Sequence, residues 1–109
     1  VAATDLSSAS PGTLGLYTKR VALEATGTNA RELIVPSWAR YLLVTVTDSS
    51  GTAAAGSVAS SGTDGSAIGD DVMPIAAGAT LTLPVAAGGR AYLSGPNAGY
   101  AHVTLCSRG

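Results

Sequence analysis

The stretch Val72-Met73-Pro74-Ile75-Ala76-Ala77-Gly78-Ala79-Thr80-Leu81-Thr82-Leu83-Pro84-Val85, continued by Ala86-Ala87-Gly88-Gly89-Arg90-Ala91-Tyr92-Leu93-Ser94-Gly95-Pro96-Asn97-Ala98-Gly99-Tyr100-Ala101-His102-Val103-Thr104-Leu105-Cys106, decides the fold class. Leu81, Leu83 and Val85 alternate with Thr82 and Pro84. Ala91 and Leu93 alternate with Arg90, Tyr92 and Ser94. Ala101, Val103 and Leu105 alternate with Tyr100, His102, Thr104 and Cys106. A period of two sends successive side chains to opposite faces of a half-buried sheet. Gly88-Gly89 and Gly95–Gly99 have the composition of tight reversals. The three runs therefore predict an antiparallel meander.

Working towards the N-terminus, Ile68 to Ile75 predicts a short strand broken at Pro74. Thr52 to Gly69 is small and polar, and a weak strand is expected at Gly56 to Ser60, at an edge or beside a close backbone neighbour. Trp38 to Thr47 is the clearest strand of all. Leu42, Val44 and Val46 face one way, and Tyr41, Leu43, Thr45 and Thr47 the other. Arg31 to Val35 and Leu16 to Ala25 read as two more strands, the latter with helix-forming composition as its rival. Thr26–Asn29 is a hairpin-like loop between them. Residues 1–15 predict an N-terminal arm, with Leu6, Leu14 and Leu16 its only apolar anchors, and residues 16–109 the folded domain. The expectation is an all-β chain: one antiparallel β-sandwich, jelly-roll or immunoglobulin-like, of about seven or eight short strands.

Composition bounds the function. Ala, Gly, Ser and Thr supply 58 of the 109 residues, whereas Leu, Ile, Val and Phe supply 23, so the core must be thin and a partner is expected to add stability. The net charge of −1 and the scattered Lys and Arg argue against a nucleic-acid partner. No run of about 18 apolar residues exists to span a membrane. A lone Cys106 forms no internal disulfide framework, which favours assembly inside a cell. No signal peptide is read at the N-terminus, and Val1 is expected to follow a removed initiator Met or a longer processed segment.

Catalytic and metal chemistry find little purchase. His102 is the single histidine. Cys106 lies four residues along the same strand, roughly 13 Å away when extended, too far for a thiolate–imidazole pair. No nucleophile elbow selects a serine. Asp64, Asp70 and Asp71 form the one carboxylate cluster, without the alternating spacing of a calcium loop. No cofactor or metal is expected, and the chain is read as a non-enzyme. An exposed pairing of Trp38 with Tyr41 would offer a carbohydrate or host surface a platform, and this is the alternative reading.

Two runs carry a family resemblance: Leu33-Ile34-Val35-Pro36-Ser37-Trp38-Ala39-Arg40 leading into Leu42-Leu43-Val44-Thr45-Val46, and Ile75-Ala76-Ala77-Gly78-Ala79-Thr80-Leu81-Thr82-Leu83-Pro84 leading into Gly89-Arg90-Ala91-Tyr92-Leu93-Ser94-Gly95. In these, and in its small-residue composition over residues 16–106, the chain resembles small β-sandwich structural proteins of tailed bacteriophages. The resemblance implies a capsid decoration (cement) protein, or a small head or fibre component, assembled in the host cytoplasm and located in the virion. Its partners would be the major capsid protein or another virion protein, and further copies of itself, with a trimer as the implied number. It offers no catalytic residues, and a lone Cys106 departs from what a virion surface requires. Apolar residues on both faces of the Tyr41 and Tyr100 strands point to a second covered face. The Gly- and Ser-rich loops offer little apolar cover by composition, so another subunit is expected there. Leu6, Trp38, Tyr41, Leu43, Tyr100 and His102 are the expected interface residues.

Overall fold

In the computed structural model, which describes residues 4–107, no residue is helical and nine strands form two sheets. The strands are β1 (Thr4–Asp5), β2 (Leu16–Ala22), β3 (Arg31–Ile34), β4 (Tyr41–Thr47), β5 (Gly56–Ala59), β6 (Met73–Ile75), β7 (Leu81–Pro84), β8 (Arg90–Ser94) and β9 (Tyr100–Cys106). One sheet runs β1-β3-β8-β5-β6 and the other β2-β9-β4-β7. Every pairing is antiparallel except that of β1 with β3.

The period-two pattern of β4 and β9 is realised as read. Leu42, Val44 and Val46, with Ala101, Val103 and Leu105, are buried against Leu33, Val58, Ile75, Ala91 and Leu93 of the other sheet. The two sheets thus enclose one apolar core in a sandwich-like arrangement.

The meander is corrected. Strands β7, β8 and β9 do not pair with one another; β7 pairs with β4, β8 with β3 and β5, and β9 with β2 and β4. The connections at residues 85–89 and 95–99 cross from one sheet to the other. The gap they bridge between stacked sheets is about 10 Å. The Thr26–Asn29 loop likewise joins strands of different sheets. Among the described strands only β5 and β6 pair with their sequence neighbour.

Strand β5 is an interior strand, with close neighbours. A Cβ on Gly56 would stand 2.6 Å from Val46 Cγ2 and 2.7 Å from the Ser94 carbonyl oxygen, so only glycine lets the sheets approach there. Strand β6 covers only the end of the run expected from Ile68, and Pro74 sits within it rather than breaking it. Proline is tolerated there because β6 is an edge.

The expected arm is, from Thr4 to Ala9, part of the fold; Val1–Ala3 lie outside the described residues. Strand β1 adds to β3, and the Leu6 amide continues the ladder by donating to the Ile34 carbonyl at 2.9 Å. Leu6 is only 5% exposed, in the core of its own chain. Residues 10–14 form an exposed loop whose Leu14 anchors nothing.

Candidate functional site

The two outer faces of the sandwich differ. On the five-stranded sheet, Tyr92 and Ala59 point outwards as a cross-strand pair and are buried with Ala30 beneath Ile68 and Val72. The segment around residues 63–68 lies alongside residues 28–32, through Ala30 N–H to Ser66 O, Gly65 N–H to Ala30 O and Ile68 N–H to Thr28 O, at 2.8–2.9 Å. Own-chain loops therefore do cover this face, contrary to what their composition suggests. Their backbone hydrogen bonds hold them down, and Ile68 and Val72 are enough to fill the space.

A buried ion pair fixes that cover. Arg31, 4% exposed, places Nη2 2.5 Å from Glu24 Oε2, Nη1 3.8 Å from Asp64 Oδ1 and donates from Nε to the Ala22 carbonyl at 3.0 Å. Asp64 Oδ1 also accepts the Glu32 amide at 2.7 Å. Asp64 is thereby drawn into a structural role, away from any joint site with Asp70 and Asp71. Beside it the Tyr92 hydroxyl donates to Glu32 Oε2 at 2.8 Å, which holds the phenol above the ordinary tyrosine range, helped by burial and by the Glu32 charge.

Among the described residues, nothing comparable covers the outer face of the four-stranded sheet. Its rows, read across β2, β9, β4 and β7, are Leu16–Cys106–Tyr41–Pro84 and Thr18–Thr104–Leu43–Thr82, and then Arg20–His102–Thr45 and Ala22–Tyr100–Thr47 across the first three strands. None of these residues is buried. Four expected interface residues, Tyr41, Leu43, Tyr100 and His102, meet on this face because alternation along β4 and β9 sends them all outwards. The other two do not join them. Leu6 is in the core. Trp38 is half-buried against the core and donates its indole N–H to the Ala9 carbonyl at 2.7 Å, tying the N-terminal segment to the turn after β3.

At one end of the face the Arg20 guanidinium lies 4.3 Å from the Tyr100 ring centroid, and His102 Nε2 is hydrogen-bonded to Thr47 Oγ1 at 2.9 Å. No acidic residue occurs in the four strands. Asp48, just beyond β4, is occupied by its own turn. It accepts from the Ser50 hydroxyl and from the Ser50 and Thr52 amides, which keep its carboxyl below the usual range. Among the described residues no three His, Cys, Asp or Glu side chains come together. The arrangement is a threonine-rich surface with an apolar row at one end and the Arg20 cation on its edge strand. Sequence reading overlooked Leu16 and Arg20 as its members; their register with Cys106 and His102 depends on the β2–β9 pairing, for which nothing local codes.

No protein-family model, no curated protein and no solved structure matches the chain.

Proposed function

We propose that the chain is a non-enzymatic structural protein of a tailed-bacteriophage virion, decorating or stabilising a capsid through protein–protein contacts. The observation that carries this reading is the outer face of the four-stranded sheet, uncovered among the described residues, with Tyr41 and Leu43 half-buried towards one end and Tyr100 and His102 towards the other. A sheet face that meets only water is expected to be polar. Strand order adds support: β2-β9-β4-β7 against β3-β8-β5-β6, with β1 appended, is the order of an eight-stranded jelly roll, an architecture used by viral capsid domains and also by lectins and cupins. That support is an analogy of fold only. The partners are the major capsid protein or another virion protein and further copies of the chain, a trimer being the number implied by the phage resemblance. The carbohydrate alternative has less support, because Trp38 is partly buried against the core rather than exposed as a platform.

The test is Leu43→Asp. Leu43 stands between Thr104 and Thr82 and is not buried, so the variant is expected to stay folded. Its binding to purified source particles, measured by co-sedimentation, should be lost. Undiminished particle binding by the folded variant would refute the use of this face, and glycan-dependent retention of the wild type would favour the alternative.

A further inference from the structure

Charge is sorted between the two sheets. Asp5 is on β1, Glu32 on β3, and Asp64, Asp70 and Asp71 on the segment between β5 and β6 that runs along the five-stranded sheet. Both cations of that sheet are met by acids, Arg31 by Glu24 and Asp64 and Arg90 by Glu32. The four-stranded sheet has the opposite balance. Its strands carry Lys19 and Arg20 and no carboxylate. Neither cation is in an ion pair among the described residues. Glu24 and Asp48, which follow β2 and β4, are engaged by Arg31 and by the turn at Ser50–Thr52.

The two cations of β2 are not equivalent. Lys19 is in register with Val103, whose side chain enters the core, so it stands on the inner side of this edge strand. Arg20 is in register with His102, on the outer face. Its guanidinium is held flat there, stacked on the Tyr100 ring at 4.3 Å. Beside it His102 is fixed by the 2.9 Å hydrogen bond between Nε2 and Thr47 Oγ1. Stacking occupies the π face of a guanidinium and leaves the N–H donors in its plane open. No acceptor meets those of Arg20 among the described residues.

A planar fork of donors in a fixed place receives a carboxylate through two parallel hydrogen bonds. A nucleic-acid backbone would call for a stripe of cations, and this face has Arg20 alone among Lys and Arg. Two copies related by a two-fold axis through this face would not meet the need either. Such a contact pairs the face with itself, and the four strands bring no acid to it. The complement is therefore an unlike surface.

We infer that the partner of this face is a protein surface that presents an Asp or Glu carboxylate to Arg20, with apolar side chains placed to meet Leu16, Tyr41 and Leu43 towards the other end. The inference rests on the reading that this face docks on the capsid, and it names the chemistry met there.

The experiment is co-sedimentation with purified source particles, with circular dichroism to establish that each variant is folded. Arg20→Glu should weaken binding at least about tenfold. Arg20→Lys should stay well below wild type, because lysine keeps the charge without the fork. Tyr100→Ala should weaken binding and Tyr100→Phe should not, because the ring alone holds the guanidinium. Lys19→Glu, on the inner side of the same strand, should bind as wild type. Particles whose carboxylates have been amidated with glycinamide, and which remain intact by electron microscopy, should no longer bind the wild type. Full binding by Arg20→Glu while Leu43→Asp fails would overturn the carboxylate contact and leave the docking face standing. Full binding by both would overturn both, as would a wild type that binds no particle. Equal losses in Lys19→Glu and Arg20→Glu would reduce the effect to net charge and overturn the site. Binding that survives amidation would overturn it in favour of phosphate. Self-association by sedimentation velocity that is lost in Arg20→Glu, with particle binding intact, would overturn it in favour of an acid on a second copy.

Discussion

Replacing Arg31 by Met should cost more than any surface change in this protein. The Arg31 side chain is 4% exposed and Glu24 11%, so the pair is shielded from water. Methionine preserves much of the stem but leaves the Glu24 carboxylate without its cation and the Ala22 carbonyl without the Nε donor. Breaking a buried pair from one side costs about 3–5 kcal/mol. Against a total of about 5–15 kcal/mol for a domain of this kind, that is a large share. At roughly 4 °C per kcal/mol for a chain near this size, the melting temperature should fall by about 12–20 °C. The loss should also be local. Asp64 loses the charge it faces, and with it the segment that covers Tyr92 and Ala59 should loosen. Thermal unfolding by circular dichroism measures the first effect. Hydrogen exchange at the Ala30, Glu32 and Gly65 amides, and proteolysis within residues 60–72, measure the second. Converting Arg31, Glu24 and Asp64 together to Met, Leu and Asn should recover most of the stability, since exchanging a whole buried ionic cluster for uncharged groups is often neutral. A loss below about 1 kcal/mol in Arg31→Met, or a triple variant as unstable as the single, would refute the reasoning.

Leu6→Ala should destabilise by about 2–5 kcal/mol in chemical denaturation, because Leu6 is a core residue; an arm laid on a neighbour would show no effect in the isolated chain. Gly56→Ala should cost about 1–3 kcal/mol or more, with the Val46 side chain and the Ser94 carbonyl both in its way, and an unchanged denaturation midpoint would mean that the sheets can separate freely there. Phenolate absorbance should show one of the four tyrosines ionising above the ordinary value near 10, and Tyr92→Phe should remove it. Because the folded-state pKa of Tyr92 is raised, the stability it contributes is complete below the unfolded value and is lost as pH rises through the folded one. Tyr92→Phe should therefore flatten the alkaline limb of the stability profile.

What the sequence made legible follows from the range of each signal. Alternation is local, and it identified the inward sets Leu42, Val44, Val46 and Val103, Leu105 together with the outward set Tyr41, Leu43, Tyr100 and His102. Pairing is not local. Gly88-Gly89 and Gly95-Pro96-Asn97 say that the chain turns, but the same residues serve a hairpin and a crossing between sheets, and here every such turn crosses. A one-residue slip would reverse every side chain of a strand, so each strand keeps its facing whichever partner it takes. The outward set could thus be right while the meander was wrong. The arm failed for a related reason. Thr4 to Ala9 has linker composition, yet Leu6 alone, seated after two residues of parallel pairing with β3 and braced by Trp38 on Ala9, is enough to draw it into the core. The covering loop shows the same economy, with Ile68 and Val72 filling the space while backbone hydrogen bonds and Asp64 fix its path. In a chain with so few large apolar residues, one Leu or one Ile placed by hydrogen bonds does what a run of them would do elsewhere.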